Sequence, residues 1–78
     1  MEKMMIFEEK GKYSLKRDYG CTRDALINGA ERLGATVVYE CVFPEDLEKI
    51  GNIFEYIQKC NSKEEKFDKK RLDNLLIQ

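Results

Sequence analysis

Alternation of apolar and polar residues predicts a β-hairpin at the start of the chain. Residues 4–7 (MMIF) are all apolar, and in residues 12–17 (KYSLKR) Tyr13 and Leu15 stand between polar neighbours. Alternation suits a strand with one buried face, and an unbroken apolar run suits a central strand or an edge strand that something else covers. Gly11, in the turn between them, can supply the positive φ that a tight hairpin needs. Segment 4–17 is therefore predicted to form two antiparallel strands.

A helix is predicted over residues 22–34, where apolar residues recur every three or four positions. The stripe consists of Ala25, Leu26, Gly29, Ala30 and Leu33. Thr22 is the expected N-cap of this helix, and Gly34 is its expected stop. Because Gly29 lies inside the stripe, we expect its missing side chain to let the helix approach the sheet closely. This glycine costs about 1 kcal/mol of helix propensity relative to alanine.

Residues 35–43 predict a third strand, because β-branched and aromatic residues alternate there. One face would carry Val37, Tyr39, Cys41 and Phe43, and the other Thr36, Val38, Glu40 and Val42. Residues 44–60 predict a second helix, with Pro44 at its first position. Its apolar stripe comprises Leu47, Ile50, Ile53, Phe54, Ile57 and Cys60. Phe54 is near the centre of that stripe, so we expect it to be the main core residue of the helix.

The last segment predicts a charged third helix. Ser62 followed by Glu65 has the spacing of a capping box, and the apolar stripe after it is narrow, with Leu72, Leu75 and Leu76. We therefore expect an α+β core over residues 1–61 and a charged amphipathic C-terminal helix over residues 62–78. The element order is ββαβαα. The crossover through the first helix is expected to leave strand 1 between the other two, with two helices packed on one face of a three-stranded sheet.

Composition narrows the class of protein. The chain has 78 residues and a net charge of −1, whereas a dedicated nucleic-acid binder is usually clearly basic. Its three cysteines are an odd, widely spaced set, so free thiols and a cytoplasmic location are expected. The apolar runs are too short for a signal peptide or for a membrane span of about 20 residues. We expect no membrane association.

The chain lacks the residues on which most catalytic mechanisms depend. The chain has no histidine, no glycine-rich phosphate loop and no paired cysteine spacing. We therefore expect no enzyme activity, no catalytic residues, no metal and no cofactor. Cys21 is the remaining candidate, since a thiol beside a helix N-terminus and near Arg17 or Arg23 can ionise readily. The alternative, which we favour, is that Cys21 is a small, half-buried residue at the junction between a loop and a helix.

Two charged groups of residues are candidate binding surfaces. An acidic patch is predicted from Glu40, Glu45, Asp46, Glu48 and Glu55. It would meet a basic protein surface, although an ordinary solvated helix face has the same pattern. A basic hairpin is predicted from Lys10, Lys12, Tyr13, Lys16, Arg17 and Arg23. It would contact a nucleic-acid strand, although lysines on an edge strand also discourage aggregation.

Apolar residues without an obvious place in the core predict an interface. These are Val38, Val42, Leu72, Leu75 and Leu76, which would cover one another, a partner or a second copy in a homodimer. The sequence thus favours a small non-enzymatic interaction protein that binds a protein partner as an inhibitor, adaptor or regulatory subunit. Its size would suit a protein encoded by a phage or mobile element. The alternatives are a nucleic-acid-binding module using the basic hairpin and, third, a redox or transfer protein acting through Cys21.

Overall fold

The computed structural model of this chain describes residues 2–17 and 23–77. Its elements are β1 (Lys3–Glu9), β2 (Lys12–Arg17), α1 (Arg23–Arg32), β3 (Thr36–Val42), α2 (Leu47–Asn61) and α3 (Lys69–Ile77). The predicted α+β class and the order ββαβαα are confirmed. The chain divides into two compact units, Met1–Phe43 and Pro44–Gln78. The predicted boundary after residue 61 stays a prediction, as does the packing of two helices on one sheet face.

The sheet has the strand order β2-β1-β3, and both neighbours run antiparallel to β1. Its central strand is the one with the unbroken apolar run, as predicted. Met4, Met5 and Ile6 are fully buried, and Phe7 is 3% exposed. Both turn residues of the hairpin have positive φ, 51° at Lys10 and 81° at Gly11, which is the backbone conformation that a type I′ hairpin turn requires.

The alternation predicted along β3 is interrupted by a register shift. Tyr39 lies opposite Ile6, but Val37 lies opposite Phe7, so Val38 is an extra residue between the two pairs. Residues directly opposite each other project from the same face of a sheet. Val37 therefore lies on the face of Phe7, and its predicted place beside Tyr39 is wrong. An extra residue of this kind is a β-bulge, which reverses the pattern on one side of itself.

Helix α1 ends at a glycine, as predicted. Gly34 has φ of 85°, its N–H donates to the Glu31 carbonyl, and the Ala35 N–H donates to the Ala30 carbonyl at 2.9 Å. These two bonds form a Schellman motif. The expected N-cap, Thr22, lies outside the described residues. The expected close approach at Gly29 is wrong, because a Cβ there would meet no described atom outside its own helix within 4 Å.

Helix α2 begins and ends at residues other than those predicted. Asp46 is its N-cap and accepts the Glu48 N–H at 2.9 Å, so Pro44 is not the first helical residue. Ser62 is its C-cap, which makes the predicted capping box at Ser62 wrong. Helix α3 starts at Lys69, where the Asp68 carboxylate accepts the Lys70 N–H at 3.0 Å. A third helix is thus confirmed, with a different cap.

The buried face of α2 differs from the predicted stripe. Its buried residues are Ile53, Tyr56, Ile57 and Cys60. Phe54 is 47% exposed and Leu47 is 82% exposed, so the expectation that Phe54 is the main core residue is wrong. In α3, Leu72 is fully buried. Contacts between α2 and α3 include a hydrogen bond from the Lys49 ammonium to the Leu76 carbonyl at 2.8 Å.

Candidate functional site

An open groove lies between α1 and the sheet, entirely within the first unit. Its volume is about 410 Å³, and it is lined by Phe7, Glu9, Ser14, Lys16, Ala25, Leu26, Gly29, Ala30, Leu33 and Ala35. The groove exists because α1 packs loosely, with no buried residue of its own. Leu33, at one end of the groove, remains 76% exposed. The apolar stripe predicted on α1 thus forms one wall of the groove and is not closed against the sheet. We call this feature the α1 groove.

The polar residues of the α1 groove come from the β-hairpin. Ser14 lies opposite Phe7, and Lys16 lies opposite Met5, so both side chains project from the same sheet face. Glu9 lies opposite Lys12 on that face, where opposite charges directly across a sheet attract. Within residues 2–17 and 23–77, Lys16 has no ion-pair partner. The hairpin side of the groove therefore presents the Lys16 ammonium group, the Ser14 hydroxyl group and the Glu9 carboxylate, which likewise has no ion pair among the described residues.

Glu40 is held by two cations and does not present a free negative charge. Its carboxylate lies 3.1 Å from the Lys3 ammonium and 2.8 Å from the Arg23 guanidinium. The hydrogen bond from Lys3 lowers the pKa of Glu40 below its ordinary value, partial burial opposes this, and Arg23 lowers the pKa further. One of the five predicted acidic-patch residues therefore stabilises the first unit through ion pairs.

The other four acidic residues, Glu45, Asp46, Glu48 and Glu55, all lie at or near the N-terminal half of α2. Asp46 caps the helix, while Glu48 and Glu55 are exposed and seven residues apart, so they share a face. Glu55 lies 3.5 Å from the Lys59 ammonium. The acidic character of this helix face thus rests mainly on Glu45, Glu48 and the partly compensated Glu55.

An exposed apolar ridge runs beside these acids on α2. Leu47 and Phe54 are two helical turns apart and lie on the same face, with the exposed Gly51 between them. Glu48 and Glu55 each follow one of the two apolar residues directly, so they border the ridge. We call Leu47, Gly51 and Phe54 the α2 ridge. The sequence predicted apolar residues here, but it placed them in the core.

The predicted basic hairpin is not gathered on one surface. Tyr13 and Arg17 lie on the sheet face opposite to Lys12 and Lys16, since the side chains alternate along β2. Arg17 pairs with Glu2, and its guanidinium lies 4.2 Å from the centre of the Phe43 ring. Arg23 pairs with Glu40. Lys10 is an exposed turn residue. Aromatic and basic side chains therefore do not alternate along one surface, as they would need to do to stack on the bases and contact the phosphates of a nucleic-acid strand.

The residues of the predicted interface lie in different environments. Val42 is 54% exposed, and Val38 is half-buried at the register shift. Leu72 is fully buried, whereas Leu75 and Leu76 are half-buried. Leu72 thus presents no surface to a partner in this structure.

Tyr56 is a buried polar centre that the sequence analysis missed. Its hydroxyl donates to the Lys66 carbonyl at 3.0 Å and accepts the Asp68 N–H at 2.8 Å, and its ring lies 6.5 Å from that of Phe67. Burial raises the pKa of Tyr56 to about 12. The signal was its spacing, three residues after Ile53 and four before Cys60. Tyr56 joins α2 to the segment that leads into α3.

The Cys60 thiol is not placed for reactivity. Cys60 is 3% exposed, and burial raises the pKa of its thiol, which disfavours the nucleophilic thiolate. Cys41 is half-buried. The predicted reactive residue, Cys21, lies outside the described residues. Within residues 2–17 and 23–77, no group of three metal-ligating side chains is close enough to hold an ion, and no helix is long and apolar enough to cross a membrane.

Comparison of this chain with protein-family models, with curated proteins and with solved structures finds no match.

Proposed function

We propose that this chain is a non-catalytic interaction protein that binds a protein partner through the α2 ridge. The observation that carries the proposal is the exposure of Leu47 and Phe54, at 82% and 47%, on one face of a well-formed helix. Aligned apolar side chains on a helix are the usual anchors for a groove in another protein. Burying a leucine of this size contributes about 1.5–3 kcal/mol.

The charge beside the ridge indicates the kind of partner. Glu48 and Glu55 border the apolar residues, and Glu45 lies just before the helix. A complementary surface would be an apolar groove with lysine or arginine residues on its rim. Acids at such a rim mainly raise the association rate and exclude acidic partners, while the apolar anchors supply most of the affinity. Occupation of such a groove is how an inhibitor, adaptor or regulatory subunit acts.

Affinity capture from the native cell tests this proposal with a matched pair of variants. Leu47→Glu places a charge in the ridge, and Ile77→Glu makes the same change at a side chain that is 80% exposed on α3. We expect the same partner with the wild-type chain and with Ile77→Glu, and at least a tenfold loss of affinity with Leu47→Glu. Equal binding by both variants would contradict the proposal. Circular dichroism confirms that each variant is folded.

The charge of the flank is tested separately by Glu48→Lys. We expect this change to slow association with the partner and to reverse its dependence on salt, since rim charges act on the encounter rate. Glu64→Lys is the control, because Glu64 is exposed outside α2. An effect of the same size at Glu64 would mean that net charge, and not the flank, determines binding.

The same capture experiment separates the alternatives. A nuclease step removes partners held through nucleic acid, so loss of every partner on nuclease treatment would favour the basic hairpin. If wild-type self-association disappears in Leu47→Glu, the partner is a second copy. Cys21→Ser addresses the thiol alternative, and we expect it to leave partner binding within a few fold because no histidine is present to activate the thiol.

A further inference from the structure

We propose that the α1 groove binds a linear aliphatic carboxylate, with the hydrocarbon chain along α1 and the carboxylate at Lys16 and Ser14. This site lies in the first unit and is distinct from the α2 ridge. It adds a small amphiphilic ligand to a chain whose proposed partner is a protein.

The size and lining of the groove suit a hydrocarbon chain. Its volume of about 410 Å³ falls within the range of about 300–1,000 Å³ that is typical of small-molecule sites. The helix wall consists of Ala25, Leu26, Gly29, Ala30 and Leu33, without a polar side chain. At Gly29 the wall has no side chain, and a Cβ there would meet no described atom outside the helix within 4 Å. An alkyl chain has room to lie against this wall.

The charges around the groove favour an anionic head group. Lys16 lines the groove and has no ion-pair partner among the described residues. Glu9 also lines the groove and has no ion pair among the described residues, but it lies opposite Lys12, which is four residues from Lys16 and so about 13 Å away along β2. The Glu40 carboxylate is paired with Lys3 and Arg23. The Ser14 hydroxyl lies two residues from Lys16 on the same face. Together they offer a charge-assisted hydrogen bond and a neutral one to a single carboxylate.

The scarcity of polar groups favours a hydrocarbon over a peptide segment. An extended peptide brings one N–H and one carbonyl per residue, and each of these needs a partner when buried. Among the lining residues, only Glu9, Ser14 and Lys16 have polar side chains, and all three come from the hairpin. The α1 wall offers no side-chain donor or acceptor. An alkyl chain needs none there and gains from burial alone.

The direct test is titration of the full chain with decanoate, a straight-chain fatty acid, followed by calorimetry and by amide chemical shifts. We expect saturable binding with one site, and shift changes that map to α1 and to residues 14–16. Gly29→Leu adds a side chain to the groove wall at a position where an added Cβ meets no described atom within 4 Å, and it improves helix propensity, so it should remain folded and lose at least tenfold in affinity.

Gly51→Leu is the matched control. Gly51 is also an exposed helical glycine whose added Cβ meets nothing described within 4 Å, but it lies on α2. We expect Gly51→Leu to bind decanoate within twofold of the wild type. If Gly29→Leu fails to fold, Ala30→Leu narrows the same groove from the neighbouring position and is expected to give the same loss.

The head-group contact has its own variant. Lys16→Met keeps most of the length of the side chain and removes its charge, so we expect about a three- to fivefold loss for decanoate. Decanol, which has the same chain and no charge, should bind Lys16→Met as well as it binds the wild type. Equal losses for the acid and the alcohol would contradict the assignment of the carboxylate to Lys16.

Two outcomes would overturn the proposal as a whole. One is the absence of saturable decanoate binding to the wild-type chain. The other is binding that Gly29→Leu and Ala30→Leu leave unchanged, which would place the ligand elsewhere. Leu47→Glu, which tests the protein partner, is expected to bind decanoate normally, so failure of either proposal can be told apart from failure of the other.

Discussion

Glu40 is ionised at a lower pH in the folded chain than an ordinary glutamate. A hydrogen bond from the Lys3 ammonium is the largest cause, and the Arg23 guanidinium adds to it, so the pKa lies below its usual 4.5. A carboxyl group whose pKa is lower in the folded state than in the unfolded state stabilises the fold at pH values above the unfolded pKa. That stabilisation is lost as the pH falls through the folded pKa.

We therefore expect Glu40→Gln to be less stable than the wild type by about 1 kcal/mol at neutral pH, since the ion pairs are partly exposed. The difference should shrink as the pH falls below 4.5, because protonation removes the same charge from the wild type. Urea denaturation at neutral and acidic pH measures it. Glu45→Gln is the control, as Glu45 has no ion pair among the described residues. A difference that stays constant with pH would mean that the carboxylate charge contributes nothing.

The contribution of Tyr56 to stability depends on pH in the alkaline range, as that of Glu40 does in the acidic range. We expect Tyr56→Phe to lose about 1–2 kcal/mol of unfolding free energy, because the hydroxyl serves both the Lys66 carbonyl and the Asp68 N–H. The pKa of this tyrosine is raised from 10 to about 12 by burial. Its contribution is thus present below pH 10 and is lost as the pH rises through 12.

A titration of unfolding free energy against pH should therefore bring Tyr56→Phe and the wild type together between those two pH values. Phenolate absorbance measures the ionisation of the tyrosines in the same samples. If the two proteins keep a constant separation over this range, the hydroxyl is not buried as described.

At the scale of the element, neighbouring residues of α2 have opposite roles. Ile53 is fully buried and Phe54 is 47% exposed. We expect Ile53→Ala to cost about 2–5 kcal/mol, as is typical when a large buried side chain is removed. Phe54→Ala should cost less than about 1.5 kcal/mol, since only half of the ring leaves water on folding. Urea denaturation of the two variants measures both losses of unfolding free energy. A larger loss for Phe54→Ala than for Ile53→Ala would mean that the stripe predicted from the sequence is the packed face.

The difference between the two stripes explains what the sequence of α2 could predict. Its 3.6-residue period identified a helix with one apolar face, but the apolar residues spanned more of the circumference than one packed face covers. A tyrosine can belong to either the polar or the apolar face of a helix. Because Tyr56 is buried, the packed face of α2 is rotated by about 60° toward Cys60 relative to the predicted stripe. Whether Tyr56 is buried depends on residues 66–68, whose backbone forms hydrogen bonds with its hydroxyl. The periodicity of the helix sequence does not reveal those partners.

For the strands too, the sequence predicted the type of element but not every detail of its packing. The unbroken apolar run of β1 favoured a central strand, because a strand whose two faces are both covered reads as a continuous apolar run. The bulge at Val38 was not predictable, since nothing in the alternation of β3 marks an unpaired residue. The α1 groove escaped prediction for a similar reason. The stripe of α1 was recognised, but whether Gly29 allows close approach or leaves a space depends on the sheet beneath it.

At the scale of the whole molecule, the C-terminal segment is either an integral part of the folded structure or an independent helix. The sequence predicted a core that ends at residue 61 and a separate helix after it, because that segment is highly charged and its apolar stripe is short. The contacts within Pro44–Gln78 argue for an integral segment. Leu72 is fully buried, and the Lys49 ammonium donates to the Leu76 carbonyl at 2.8 Å. A helix of this length is marginal in water by itself, so its stability comes from such packing.

Leu72→Ala separates these possibilities in the intact chain. If α3 is integral, removal of this fully buried side chain should cost about 2–5 kcal/mol, a large share of the stability of a domain of this size. Urea denaturation followed by circular dichroism and by Tyr fluorescence should then show unfolding at a lower midpoint. Ile77→Ala, on the same helix but 80% exposed, is the control and should change stability by less than about 0.5 kcal/mol. An unchanged midpoint in Leu72→Ala, with only a small loss of helical signal, would mean that α3 frays independently and that the core ends at residue 61, as predicted from the sequence.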